Sequence, residues 1–216
     1  PPMPESPSVP PASDGAQAAG RGKAEDWLEA AYQQLLLGGV DSVRVLTLAK
    51  TLGLSRTSFY WSFKDRDALL TALLARWDAH NTAGLIGRCE QYAATVVEAM
   101  LNVFDCWLDA SLFDSRFELA IRNWASQNAE VAAAVARADQ ARIQALTSML
   151  MRYGQPEQLA NVRARTTYLT QIGYLSMRTQ ESVSERISRV AEYVEVFVGE
   201  RCEPQELARF AARHPA

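Results

Sequence analysis

A chain of 216 residues with 48% hydrophobic and 22% charged residues has ordinary globular composition, sized for one domain or one domain plus a small module, and is neither collagenous nor wholly disordered. Its formal charge of -3 at pH 7 excludes a uniformly basic protein that coats nucleic acid without specificity. No apolar run approaches the roughly 20 residues needed to cross a bilayer, and no basic segment followed by an apolar stretch marks a secretory signal, so no membrane partner and a cytoplasmic location are expected.

Residues 1–20 hold six of the nine prolines and no aromatic, leucine or isoleucine, and are expected to form a disordered tail. After Pro11 the next proline is Pro156, and β-branched alternation is nowhere sustained. The expected class is all-α. A first helix is predicted over about Ala24–Leu37, with Glu25 and Asp26 near its N-terminus, Gly38-Gly39 after it, and Leu28, Ala31, Tyr32, Leu35 and Leu36 as its buried stripe.

The stretch Leu48 to Phe63 reads as helix, tight turn, helix. Ala49 is small where two helices approach, Gly53 supplies the left-handed conformation that ends the first, Leu54 plugs the corner, and Ser55 caps the second. Phe59 and Phe63, four apart, face inward and send Thr57, Tyr60, Trp61 and Lys64 outward. A solvated face normally carries Glu, Lys and Gln. Hydroxyls, aromatics and cations at the start of a short helix suit phosphates and base edges in a major groove. The alternative is that Tyr60 and Trp61 pack as ordinary core. Between Asp41 and Arg66 five basic residues (Arg44, Lys50, Arg56, Lys64, Arg66) face two acidic ones, a local +3 that leaves -6 elsewhere, which favours an anionic partner met at this end.

Val43 to Leu70, with Leu48-Ala49, Gly53-Leu54-Ser55, Phe59-Tyr60-Trp61, Phe63 and Lys64-Asp65-Arg66-Asp67-Ala68-Leu69-Leu70, resembles the DNA-binding domain of the tetracycline-repressor (TetR) family of bacterial transcription regulators. The resemblance covers about Ala24–Leu74 as motif. The rest matches in length, helix count and divergence. It implies that Arg56, Thr57, Ser58, Tyr60 and Trp61 face the major groove, that Ser55, Tyr60 and Lys64 contact the DNA backbone, and that Thr47 is a further candidate. This chain departs from the family in having Ser62 where histidine is frequent, Arg66 where lysine is usual, and Arg44-Val45 where a Ser or Thr cap is usual. Arg44 is instead a candidate phosphate contact.

The expected organisation is a tail over 1–20, a three-helix helix-turn-helix DNA-binding domain over 21–66, a larger helical ligand-binding and dimerisation domain over 67–200, and a C-terminal tail over 201–216. A helix over about Arg66–Asn81 opens at Asp65 and carries Leu69, Leu70, Leu73, Leu74 and Trp77 on one face. Further helices are predicted over about Gln91–Ala110, Ser115–Ser126, Ala129–Tyr153, Pro156–Gln180 and Ser184–Val198. Trp77, Trp107, Phe113, Phe117, Arg122, Trp124, Tyr168 and Tyr174 are candidate ligand-binding residues, since aromatics with a few polar groups suit a small-molecule pocket between helices. Arg122 there would favour an anionic or carbonyl-bearing ligand. A ligand that moved the end of the helix near Trp77 is expected to release DNA.

Helix-turn-helix regulators work as dimers, because two recognition helices must meet groove faces about 34 Å or a multiple apart. The stripes Ile187, Val190, Ala191, Val194, Phe197, Val198 and Leu169, Ile172, Gly173, Met177 are the candidate interface, a C-terminal four-helix bundle by the resemblance; packing on their own subunit is the alternative. Cys89, Cys106 and Cys202 form no CxxC pair and read as small hydrophobes, so neither metal nor cofactor is expected. His80 and His214 are the only histidines and no GxSxG, HExxH, GxGxxG or Walker loop occurs, which argues against an enzyme. The sequence therefore predicts a ligand-inducible repressor that binds palindromic double-stranded operator DNA as a homodimer and answers to a small-molecule effector. A helical enzyme or a protein-interaction scaffold is the alternative.

Overall fold

The computed structural model of the chain describes residues 23–215, and every regular element among them is a helix. The tail expected over residues 1–20 lies outside the described residues. The chain divides into two compact units between Ala72 and Leu73, six residues beyond the expected boundary at 66.

In the smaller unit α1 (Ala24–Gly38) starts where the Lys23 backbone N–H donates to the Asp26 carboxylate (2.7 Å) and ends where Gly39 N–H donates to Leu35 O (3.0 Å). A 3-10 turn, Val40–Ser42, leads into α2 (Val45–Leu52). Gly53 has φ +65°, a conformation costly for any side-chain-bearing residue, and this lets Leu54 N–H close on Ala49 O (2.9 Å) and turn the chain sharply. Ser55 then caps α3 (Arg56–Phe59), its Oγ accepting from Ser58 N–H (3.2 Å). Asp65 Oδ1 accepts from Ala68 N–H (2.8 Å) at the start of α4 (Arg66–Trp77).

Trp27, Leu35, Val43, Leu48, Phe59 and Leu69 form the small core, with the Trp27 and Phe59 rings edge to face at 5.3 Å. The α1 stripe is rotated from its predicted position. Trp27, Ala30, Ala31 and Leu35 are buried, whereas Leu28, Tyr32 and Leu36 are half-buried, because the large indole takes the place against Phe59. Arg66 holds the turn before α2, with Nε donating to Val43 O (2.6 Å) and Nη2 to Val40 O (2.7 Å).

The larger unit departs from the predicted element list at three places. The helix expected to stop near Asn81 runs on through a π turn, Asp78–Thr82, into α5 (Ala83–Glu90). Gly84 does not break it: a Cβ there would lie 2.1 Å from Leu112 O, so the glycine permits a close approach. Next come α6 (Val96–Leu108), α7 (Ser115–Ala125), α8 (Ala129–Arg152) and α9 (Glu157–Ser176), the first three opened by Thr95, Asp114 and Asn128 as side-chain caps. Arg178 at φ +52° stands just beyond the end of α9. Instead of one helix over 184–198 there are two, α10 (Val183–Ile187) and α11 (Val190–Val198).

Residues 201–216 are not simply a tail. They carry α12 (Pro204–Ala212), which starts with a reciprocal Glu203–Glu206 capping box and buries Phe210 completely in the core. Central α6 is buried from Val96 to Trp107 except at Glu98, and α11 supplies Val190, Val194, Phe197 and Val198 to the same core. The stripe first assigned to a dimer interface thus packs on its own subunit, since Phe197 stacks against Phe104 of α6 (6.1 Å).

Candidate functional sites

The turn fixed by Gly53 and the cap at Ser55 bury Phe59 and leave Phe63 half-buried, so the rest of the segment projects outward. Trp61 is 69% and Tyr60 50% exposed, which excludes the reading of these rings as core. Arg56, Thr57 and Lys64 are exposed beside them. This surface combines two cations, a hydroxyl and two aromatic rings on a four-residue helix and the turn after it.

The other DNA candidates divide. Arg44 is exposed, its Nε donating to Asp41 O (2.9 Å), which tethers the base of the guanidinium. Ser55 is exposed and already accepts from Ser58 N–H, leaving its hydroxyl proton for a phosphate. Thr47 is half-buried. Ser58 is a correction: it is only 4% exposed and its Oγ donates to Ser55 O (2.7 Å), so it stabilises the first turn of α3 and does not face outward.

The ligand candidates do not gather at one place. Trp77, Phe113, Arg122 and Tyr168 belong to a buried polar network centred on Glu118 of α7, with Phe117 buried on the same helix. One Glu118 oxygen accepts from Trp77 Nε1 (2.7 Å) and Asn81 Nδ2 (2.9 Å), and the other from Arg122 Nε and Arg142 Nη1 (2.9 Å each). Arg142, fully buried on α8, also donates to Thr82 Oγ1 (3.1 Å) and the Tyr168 hydroxyl (3.0 Å), and its guanidinium lies over the Trp77 and Phe113 rings at 5.0 and 5.3 Å. Arg122 is held by both oxygens of Asp139 as well, and Tyr168 donates to Asp139 (2.5 Å).

Burial alone would raise the Glu118 carboxyl, but the guanidinium groups of Arg142 and Arg122 outweigh it and hold the group below the usual carboxylate range. Burial pushes the Tyr168 phenol well above its ordinary value. The Arg122 and Tyr168 polar groups are thus engaged internally, in a network that ties α7, α8 and α9 together. Trp124 is 9% exposed and makes no hydrogen bond within this network. The sequence reading missed Glu118, Arg142, Asn81 and Thr82. Arg142 had a signal, because it stands in the apolar stripe Val135, Ala138, Leu146 and Met149 of α8, where a cation needs a buried partner.

Trp107 and Tyr174 line a separate pocket between α6, α9, α10 and α11, together with Thr167, Gln171, Arg186 and Tyr193. Arg186 donates to Trp107 O (2.7 Å) and its guanidinium lies 4.9 Å from the Tyr174 ring centre. Outside the pocket, Val162 and Leu169 of α9 and Met177 just after its end are exposed apolar residues, at 55%, 58% and 79% exposure. Among the described residues no helix is long and apolar enough to cross a membrane.

Residues 28–73 match the family model for bacterial regulatory proteins of the tetR family. In fold the chain is similar to a transcriptional regulator from Rhodococcus sp. Rha1, at TM-score 0.58 and 17% identity over 89% of this chain and 97% of that one. It is likewise similar to a protein from Mesorhizobium loti MAFF303099 described as a TetR-family transcriptional regulator, at TM-score 0.55 and 13% identity over 95% of this chain and 100% of that one. No curated protein matches the chain.

Proposed function

Because residues 28–73 match the family model for bacterial regulatory proteins of the tetR family, we propose that the chain is a regulator of that family, an effector-responsive repressor that binds a near-palindromic operator as a homodimer. The observation that carries this reading is the exposure of Tyr60 and Trp61 beside Arg56, Thr57 and Lys64, since large rings left in water by a folded unit are expected where another surface will cover them. Thr57, Tyr60 and Trp61 are assigned to the major groove, with Arg56 at its edge. Arg44, Thr47, Ser55 and Lys64 are assigned to phosphates. Ser58 is left out, being buried.

One +3 module offers few phosphate contacts, and two-fold pairing doubles them. The exposed apolar residues Val162 and Leu169 of α9 and Met177 at its end are the surface assigned to that pairing. The effector is assigned to the pocket lined by Trp107, Tyr174 and Arg186, and it weakens operator binding only by as much as it prefers the conformation that binds DNA poorly.

The test is selection of bound duplexes from fragments of the source genome, followed by anisotropy titration of the selected duplex across salt concentrations. Affinity should fall steeply with salt, and Trp61→Ala should lose preference for the selected duplex while the protein stays folded. Equal affinity for selected and scrambled duplexes would overturn the reading, as would a strict monomer in sedimentation at micromolar concentration.

A further inference from the structure

The pocket between α6, α9, α10 and α11 contains an imbalance that packing does not explain. Three of its lining side chains carry a buried polar atom without a hydrogen-bond partner: Trp107 Nε1, Thr167 Oγ1 and Gln171 Nε2. These residues are 5%, 0% and 7% exposed, so bulk water does not satisfy them. Leaving a buried donor unmade is unfavourable in any fold, and such groups concentrate where a further molecule completes them. Indole N–H and amide NH2 only donate, and a hydroxyl can donate, so the missing partner is an acceptor.

Charge adds a second, independent constraint. Glu181, the acid that lines the same pocket, is taken by Arg189 and by the Tyr174 hydroxyl. Arg186 spends one nitrogen on Trp107 O and keeps others. Burial holds the Arg186 guanidinium below its ordinary pKa, although Tyr174 and Glu181 act in the opposite direction, so its desolvation is not fully offset by the groups around it. The apolar walls come from Phe104, Leu108, Val190 and Phe197.

Building on the effector reading above, we propose that this pocket takes a small aromatic or arylalkyl carboxylate, its acid group paired with Arg186 and its acceptor oxygens meeting the donors of Trp107, Thr167 and Gln171. The free volume of about 40 Å³ has room for a carboxylate-sized group. The ring packs against the aromatic side chains of the lining, Tyr174 and Tyr193. The chemistry disfavours amines, which would face Arg186 with like charge and leave the Trp107 and Gln171 donors unmet.

The full-length chain is titrated by calorimetry with benzoate, phenylacetate and the neutral amide of each. The acids are expected to bind at least tenfold more tightly than their amides, and Arg186→Gln to abolish that preference while amide binding stays within about twofold. Acids that bind no better than amides overturn the proposal, and this comparison needs no variant. A preference that survives in a folded Arg186→Gln protein overturns the assignment to Arg186. Thr167→Val should weaken binding of acids without altering the unfolding temperature by more than a few degrees. If the acids bind as expected yet leave affinity for the selected duplex unchanged, the site stands and the effector reading falls. If duplex is released by another compound while acids bind no better than amides, the reading stands and this proposal falls.

Discussion

Replacing Glu118 by glutamine keeps the shape of the side chain and removes the charge that four donors share. Oε1 accepts from Arg122 and Arg142 and Oε2 from Trp77 and Asn81, all at 2.7–2.9 Å, with Glu118, Arg142, Trp77 and Asn81 fully buried and Arg122 half-buried. A glutamine oxygen can serve one pair, but its NH2 must then face the other pair of donors. Two hydrogen bonds are lost, two donors are stranded, and Arg142 is left with no carboxylate among its hydrogen-bond partners. Breaking a buried ion pair from one side costs about 3–5 kcal/mol. For a chain of this size that corresponds to a fall in Tm of about 6–20 °C. Urea unfolding at fixed protein concentration should show a lower midpoint with an unchanged slope. Pairing Glu118→Gln with Arg142→Met should recover part of the loss, because the stranded cation is removed with its partner. A loss below about 1 kcal/mol, or a double variant that is merely the sum of two large losses, would refute the account of Glu118 as the centre of the network.

The acid limb of stability should report the same residue. The folded-state carboxyl of Glu118 sits below its ordinary value, so its contribution is present above about pH 4.3 and is lost as pH falls through the folded value; Glu118→Gln should flatten that limb in a pH series of unfolding temperatures. In the smaller unit, Phe59→Ala empties the position against Trp27 and should destabilise it by about 3–5 kcal/mol, measured by the loss of helical signal on heating. Thr57→Ala, at an exposed site, should leave stability unchanged and alter discrimination among operator variants by about 1–3 kcal/mol, whereas Ser58→Ala should lower stability by about 1 kcal/mol without altering discrimination. With a thiol reagent at pH 8, half-buried Cys202, its thiol pushed up to about 11 by burial, should react slowly, and buried Cys89 and Cys106 only on unfolding.

Much of the smaller unit was legible because its determinants are local. Gly53, Ser55 and Asp65 act within four residues of themselves, and the turn and caps predicted from them are present. The outward face of Tyr60 and Trp61 followed from the four-residue spacing of Phe59 and Phe63. Trp27 was missed because the choice between two neighbouring stripes on α1 depends on Phe59, 32 positions along the chain. The larger unit was less legible for the same reason. Gly84 reads locally as a helix breaker, and only its distance to Leu112 O shows why a helix keeps it. The Pro204, Glu206 and Phe210 pattern is by contrast a local signal, a proline in the first turn, a capping acid and an apolar residue on the buried face.

Arg122, Arg142 and Arg186 look alike in the sequence, three cations among aromatic residues in an acidic unit. Their surroundings separate them. Arg122 and Arg142 are matched by Glu118 and Asp139, so the network carries no net charge, and a ligand carboxylate entering it would have to displace an acid already holding four donors. That exchange gains one ion pair by breaking another and strands whatever is displaced. At Arg186 nothing need be displaced, since Glu181 is committed elsewhere and the neighbouring donors are unmet. Aromatic content alone therefore does not separate the three cations; what separates them is that Arg122 and Arg142 each hold a carboxylate, whereas Arg186 donates to the Trp107 backbone carbonyl, which is why the proposed anion is placed at Arg186.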